Sequence, residues 1–267
     1  MNSASVRRSS GTKRIEELDF LKAVFILLMI SFHLAYFGDG YPYLKKFVYT
    51  FHMPGFLIIS GYLMNVNKPP RGFGKTILWL AVPYVIMETG YVLMASILPI
   101  RDHVDNLSTG VLLQKLFVNP LGPYWYLHTL ILSGSLYFAV FRWMKGPELS
   151  RFMVLALSYY ACSRLGIVSF ACAMYFFAGI AVRRSALTFF DIFRKSWLSV
   201  AVLALMFFFP SAFDKASWGG IVIVYSVFSF VLVVYGHVPA RSRQVLLFLG
   251  RNSLAFIHIF THIHYML

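Results

Sequence analysis

Apolar residues in this chain are gathered into long runs that are separated by short polar and basic segments. Most of the runs approach the roughly 20 residues that an α-helix needs to cross a bilayer. Nine runs follow one another, at about 18–37, 47–66, 76–98, 124–143, 152–169, 170–182, 197–213, 219–236 and 245–265. The runs at 152–169 and 170–182 touch, so this stretch is either a tight hairpin or one broken helix. The pattern predicts an all-α fold, a polytopic transmembrane helix bundle of about nine spans.

The composition suits lipid better than water. Of the 267 residues, 59% are hydrophobic and 13% are charged, and the mean hydropathy is +0.70. The formal net charge of +14 comes from basic residues in short clusters between apolar runs, which favours contact with anionic lipid headgroups over nucleic-acid binding. Cys162 and Cys172 lie in or beside apolar runs, and their spacing predicts neither a disulfide framework nor a metal site.

The distribution of Lys and Arg predicts the topology. With the N-terminus in the cytoplasm, the inner segments hold about 17 of these residues and the outer segments about 6. Nine spans then place the C-terminus outside. Residues 1–13 are predicted to be a disordered cytoplasmic tail, and residues 14–267 a single transmembrane domain, because no segment between the runs is long enough to fold alone.

Few ionisable residues lie inside the apolar runs, and in lipid such residues often mark functional sites. Lys22 and His33 are eleven residues apart in the first run. Eleven residues are close to three helical turns, so both side chains are expected on one helix face, separated by about 16 Å of rise. His52, in the second run, is expected at a depth similar to that of His33. Two histidines of adjacent helices are therefore predicted to face each other.

Several short motifs follow in a particular order. They are Arg14-Ile15-Glu16-Glu17-Leu18-Asp19-Phe20-Leu21-Lys22 before His33, then His52-Met53-Pro54 and Ser60-Gly61-Tyr62, Lys75 before Pro83-Tyr84, Tyr124-Trp125-Tyr126-Leu127, Phe176-Phe177-Ala178-Gly179, and Leu249-Gly250-Arg251-Asn252-Ser253-Leu254 ahead of His258. In order and spacing, the series resembles the acyltransferase family 3 membrane proteins over essentially the whole chain from Arg14 onward. Each motif alone is weak, and the series is more specific than any member of it.

The resemblance implies a membrane-embedded acyltransferase. Members of that family transfer acyl groups, usually acetyl from acetyl-CoA, to hydroxyls of sugars and other acceptors outside the cytoplasm. Lys22 stands where many members have arginine, which keeps the positive charge and loses the planar guanidinium. This lysine form resembles the fucose O-acetylase branch. The chain is also shorter than many members, which implies that one helix is missing or merged.

The reaction implied by the resemblance needs a base that takes the proton of the acceptor hydroxyl, and imidazole titrates near neutral pH. His33 is the predicted base. His52 is predicted to orient it, or to bind the acceptor or the developing oxyanion, and the two roles are interchangeable at this stage. Glu88, near the middle of the third run, is a candidate partner for His33, with a protonated or hydrogen-bonded packing residue as the alternative.

The donor is expected to enter from the cytoplasm, where acyl-CoA is made. No permanently bound cofactor is expected, since acyl-CoA acts as a substrate. Lys22, Arg71 and Lys75 are predicted to bind its phosphates or the groups next to them. For Arg71 and Lys75, ordinary inner basic residues without a further role are an equal alternative.

The acceptor is expected at the outer ends of the helices. Trp125 is predicted to stack on the acceptor and His128 to hydrogen-bond to it. Tyr62 is a further candidate for this contact. The alternative for Trp125 is a role as an anchor at the membrane interface. The implied acceptor is an oligo- or polysaccharide, free or lipid-linked, at a bacterial cytoplasmic membrane. Two other functions remain alternatives. A transporter or flippase for a lipid-linked saccharide has similar spans and interrupted helices, and a sensor or assembly partner without activity is also compatible with the sequence.

Overall fold

The helical class predicted from the apolar runs is confirmed. The structure is a computed structural model that describes residues 14–98 and 103–254, and within these ranges it has twelve α-helices, two short 3-10 turns and no β-strand. The helices are α1 (Glu16–His33), α2 (Ala35–Gly40), α3 (Pro42–Leu63), α4 (Pro70–Ile97), α5 (Thr109–Phe117), α6 (Trp125–Trp143), α7 (Glu148–Arg164), α8 (Phe170–Arg184), α9 (Phe189–Ile192), α10 (Leu198–Phe207), α11 (Trp218–His237) and α12 (Ala240–Arg251). The predicted tail at 1–13 and His258 lie outside the described residues.

The predicted runs coincide with helices, and the structure decides the ambiguous stretch. The run at 152–169 belongs to α7 and the run at 170–182 to α8. Between them the chain turns at Gly166, whose φ of 74° is a left-handed conformation that glycine adopts without strain. This stretch is therefore a helical hairpin. The ninth run begins in α12 and continues beyond the described residues.

The number of membrane spans is not confirmed at nine. Among the described helices, α4 and α11 are each long and apolar enough to cross a bilayer. The apolar stretch of α4 is only 28% buried inside the protein, so most of its apolar surface faces outward, as expected in lipid. By contrast, α10 has 10 residues and rises only about 15 Å, about half of a hydrocarbon core.

Two glycines let α3 and α8 approach closely. A Cβ atom on Gly61 of α3 would collide with the backbone oxygen of Phe176, and one on Gly179 of α8 would collide with the backbone oxygen of Ile58. Ser60-Gly61 is a pair of small residues, a sequence feature that predicts close helix approach, and that approach is present. Small residues at such contacts bring backbones together and increase dispersion contacts between helices.

The short helix α2 reverses the chain so that α3 runs back along α1. Phe25 in the middle of α1 packs on Phe51 and Phe56 of α3, with ring centroids 6.2 and 5.8 Å apart. Nearer the turn, His33 packs on Tyr49. The end of α1 and the first half of α3 therefore share one end of the bundle, which brings the polar residues of both helices together.

Candidate active site

His33 and His52 lie side by side at this end of the bundle. Their ring centroids are 6.5 Å apart and their planes are inclined by 72°. Tyr49, one turn before His52 on α3, contacts both rings, at 5.4 Å from His33 and 5.1 Å from His52. The structure therefore brings together the two histidines that the sequence singled out, and it adds a tyrosine between them.

Backbone carbonyls orient both imidazoles in the same way. The Nδ1 of His33 is 2.8 Å from the carbonyl oxygen of Met29, and the Nδ1 of His52 is 2.8 Å from that of Val48. A carbonyl oxygen only accepts hydrogen bonds, so each Nδ1 carries the hydrogen and each Nε2 carries the lone pair of a base. The Nε2 of His52 is buried and has no hydrogen-bond partner in the described part of the chain.

The two histidines line a cavity of about 680 Å³, here called the outer cavity. Trp125, Tyr126, Lys45, Lys46, Lys215 and Asp39 are among its other walls. The Lys45 amine pairs with Asp39 at 2.9 Å. The Lys215 amine lies 5.0 Å from the ring centre of Trp125, so one face of the predicted stacking platform is covered by a cation. The outer cavity thus combines two oriented bases with an aromatic wall and several cations.

A second cavity of about 740 Å³, here called the inner cavity, lies toward the other end of α1. Its walls include Lys22, Lys68, Arg251 and Ser60. The buried carboxylate of Asp19 lies next to it and pairs with Lys22 at 2.7 Å, with Arg14 at 2.8 Å and with Arg251 at 3.7 Å. Three cations around one carboxylate leave a surplus of positive charge, which favours an anionic ligand.

Phe56 and Tyr126 separate the two cavities. Within the described ranges, these are the two residues that line both. Their ring centroids are 6.0 Å apart. The Tyr126 hydroxyl is 3.0 Å from the hydroxyl of Ser60, which lines the inner cavity. The site is therefore two chambers with an aromatic wall between them.

Comparison with known proteins shows the family of the chain. A family model described as the acyltransferase domain of acyltransferase family 3 matches residues 15–260. The chain belongs to acyltransferase family 3. Members of this family are membrane proteins. The chain is also similar to the nodulation protein NolL of Mesorhizobium japonicum, with 30% identity over 129 residues. That match covers 43% of this chain and 33% of NolL. No solved structure matches the chain significantly.

Of the three residues predicted to bind the donor, one lines the inner cavity and two do not. Lys22 lines the inner cavity, whereas Arg71 and Lys75 are exposed on α4 and are not among its walls. Lys68, just before α4, lines the cavity instead, and its amine donates to the Thr76 hydroxyl at 3.0 Å. Donor binding by Arg71 and Lys75 stays a prediction without geometric support.

Glu88 and His128 are turned toward backbone groups and line neither cavity. The amide of Leu121 donates to Glu88 Oε1 at 2.6 Å, and Oε2 is buried without a hydrogen-bond partner among the described residues. His128 Nε2 donates to the carbonyl of Phe117 at 3.1 Å. Both side chains are thus held against the segment between α5 and α6, and the packing alternative raised for Glu88 describes its surroundings better than a bond to His33.

Tyr62 lies near the end of α3 that is remote from His52, about 15 Å away along the helix. Its ring packs on Phe189, with centroids 5.0 Å apart, and the guanidinium of Arg183 lies 5.6 Å above it. The side chain lines neither cavity. Of the three acceptor-side candidates, Trp125 is therefore the one that lines the same cavity as the histidines.

Several residues of the site were not predicted from the sequence, among them Tyr49, Tyr126, Lys68, Lys215 and Arg251. Tyr49 precedes His52 by one turn, and Tyr126 and Arg251 stood within motifs of the family, so position alone was a usable signal for these three. Lys215 lies in the turn between α10 and α11, and no pattern in the sequence connects it with Trp125. The hydroxyl of Tyr175 donates to the backbone oxygen of Lys215 at 2.7 Å, which fixes that turn over the outer cavity.

Proposed function

We propose that this protein is a membrane-bound O-acyltransferase that moves an acyl group, in the simplest case acetyl, from acyl-CoA to a sugar hydroxyl. The observation that carries the proposal is the pair of cavities. One has two oriented imidazole bases, the other has surplus positive charge, and a single aromatic wall separates them. This division suits a long anionic donor that enters on one side and an acceptor that binds on the other.

In the proposed reaction, the acceptor hydroxyl lies near His33 in the outer cavity. Nε2 of His33 takes the hydroxyl proton as the oxygen attacks the thioester carbonyl, and the C–O bond forms. The C–S bond then breaks, and the thiolate of CoA takes the proton from the imidazolium. His52, held by the carbonyl of Val48, orients the acceptor or the developing oxyanion. The products are a sugar ester and free CoA.

The donor is assigned to the inner cavity. Phosphates of acyl-CoA are matched by Lys22, Lys68 and Arg251 through charge-assisted hydrogen bonds. We further propose that the chain crosses a bacterial cytoplasmic membrane about nine times. The inner cavity then opens to the cytoplasm, and the outer cavity opens to the far side of the membrane. The lysine and arginine distribution supports that orientation.

The test compares surface and lipid-linked glycans, by mass spectrometry, from cells with the gene, without it, and with His33→Ala. We expect an ester gain of about 42 Da per acetyl group in the first strain alone. Purified protein in vesicles should transfer labelled acetyl from acetyl-CoA to the same glycan. Movement of a lipid-linked saccharide across the membrane without acyl-CoA, with no ester formed, would instead identify a transporter.

A further inference from the structure

The wall between the two cavities consists of the Phe56 ring, which is packed among other aromatic rings, and the Tyr126 ring, whose hydroxyl is hydrogen-bonded to Ser60. We propose that Tyr126 is a donor-operated gate: its hydrogen bond to Ser60 holds the wall closed, and the acyl-bearing arm of the donor opens it. The inference rests on the proposed function, because it names the residue past which the acyl group has to travel. It assigns to Tyr126 a positioning role that neither the histidines nor the cations supply.

Phe56 is the fixed part of the wall. Its ring packs on Phe25 of α1, with centroids 5.8 Å apart, and the residue is only 2% exposed. The neighbouring Gly55 lies so close to Phe25 that a Cβ atom there would overlap its ring. The Phe25 ring in turn packs on Phe228 of α11 at 5.5 Å. Phe56 is therefore packed against α1 through Phe25, which is itself packed against α11.

We assign the moving part of the wall to Tyr126. It is the second residue of α6, directly after the 3-10 turn Gly122–Tyr124, in which Gly122 has a φ of 55°. Its ring contacts Phe56 at 6.0 Å and Trp125 at 6.4 Å. Helix ends that follow such a turn are the usual places where a small backbone rotation redirects a side chain. A rotation here would withdraw the ring without disturbing α3.

Ser60 supplies the latch. His52, Phe56 and Ser60 are four residues apart on α3, so they form one stripe that runs from the outer cavity through the wall into the inner cavity. The Tyr126 side chain is 2% exposed, and its hydroxyl bonds to Ser60 at 3.0 Å. A buried hydroxyl that loses its partner is strongly disfavoured. Opening therefore requires a replacement partner for the hydroxyl.

The donor can provide that partner. The pantetheine arm of acyl-CoA carries amide and thioester carbonyls that accept hydrogen bonds, and in the inner cavity they would pass Ser60 and Tyr126. A ligand that replaces the latch shifts the wall toward the open state. The thioester then enters the outer cavity only when the arm fills the passage, which keeps outer water away from donor that is not fully bound.

The first test measures leakage through the wall. With acetyl-CoA and no acceptor, water attacks the thioester and releases acetate and CoA. Ser60→Ala should raise the rate of this hydrolysis by about threefold to tenfold over the wild type, the change expected for loss of one neutral hydrogen bond. Tyr126→Phe should raise it less, because Ser60 can return its hydroxyl to a backbone carbonyl. The Ser60→Ala and Tyr126→Phe double variant should hydrolyse acetyl-CoA little faster than Ser60→Ala alone. Ser133→Ala, a buried serine of α6 that lines neither cavity, is the matched control.

The second test needs no activity. Met53 lines the outer cavity and Asn65 the inner one, so each is replaced by Cys in a separate protein in oriented vesicles. The side from which a small charged thiosulfonate labels Asn65→Cys defines the inner side. When the reagent is added on that side, the cysteine of Met53→Cys should be labelled slowly. Adding Ser60→Ala to the same protein should speed this labelling severalfold, as measured by peptide mass spectrometry. Equal labelling with and without Ser60→Ala overturns the gate. Absence of any transfer by the wild type overturns the proposed function and leaves this measurement valid.

Discussion

The imidazoles of His33 and His52 lie 6.5 Å apart between ring centres and are held alike, each by a backbone carbonyl four residues earlier in its own helix. His33 is half-buried at the end of α1, whereas His52 is only 2% exposed in the body of α3. The same hydrogen-bond arrangement thus leaves His33 more exposed than His52 at the cavity that both side chains line. This difference favours His33 as the residue that meets the acceptor hydroxyl.

His33→Ala should lower acyl transfer at saturating donor by about 10² to 10⁴, the usual contribution of a general base. Initial rates in vesicles, with protein amounts matched by immunoblot, measure the effect. His237→Ala is a matched control, because the Nδ1 of His237 also bonds to the carbonyl four residues earlier and the side chain lines neither cavity. Near-normal transfer by the His33 variant would make His52 the leading base.

His52→Ala should reduce turnover at least tenfold while leaving the donor KM close to that of the wild type. The reason is that the His52 side chain lines the outer cavity and its buried Nε2 has no hydrogen-bond partner among the described residues, so the ring can bind the acceptor or the oxyanion and is remote from the inner cavity. Steady-state kinetics with separate donor and acceptor titrations give both quantities. A selective rise in donor KM would place His52 on the donor path instead.

Lys22→Ala and Arg251→Ala should each raise the donor KM by about tenfold, the loss expected for one charge-assisted contact to phosphate. Lys22→Arg should be tolerated because it keeps the cation beside Asp19. Titration of acyl-CoA in inside-out vesicles measures the effect.

Arg71→Ala and Lys75→Ala provide the contrast, since both residues are exposed and lie outside the walls of the inner cavity. We expect an unchanged donor KM for both. If they raise it as much as Lys22→Ala does, the donor lies on the outer surface of α4 and the inner cavity has been misassigned.

Gly61→Ala and Gly179→Ala should destabilise the protein by about 1 to 3 kcal/mol each, because an added methyl would overlap backbone atoms across the α3–α8 contact. Thermal unfolding in detergent would show lower midpoints for both. Gly90→Ala, with open space around the added methyl, should leave the midpoint unchanged or raise it slightly, since alanine favours helix. Equal midpoints for all three variants would contradict the close helix contact.

A reporter fused after Lys145 should be active in the cytoplasm, and one fused after Leu267 should be active on the opposite side. The expectation follows from the Lys and Arg distribution and from nine spans. Alkaline phosphatase and fluorescent-protein fusions measure it. Activity of both fusions on one side would mean an even number of crossings between the two positions, with the short helix α10 as the first candidate for a segment that does not cross.

The sequence alone was sufficient for the properties that depend on neighbours along the chain. Apolar runs near the length of a bilayer predicted helices, because a helix satisfies its own backbone hydrogen bonds and needs only local residues to do so. The eleven-residue interval from Lys22 to His33 predicted a shared face, since the helical repeat is the same in every helix. Ser60-Gly61 predicted a close helix contact for the same local reason.

The tertiary structure decided which side chains meet, because the rotation of each helix about its axis is set by packing with residues far along the chain. Glu88 and His128 have the composition of site residues, yet their helices turn them toward the carbonyl or amide groups of residues 117 and 121. Arg251 reaches Asp19 across 232 positions of sequence, and Tyr126 reaches Ser60 across 66. A local pattern carries no information about such distances, so the inner cavity and the wall that closes it emerge only when the helices are packed together.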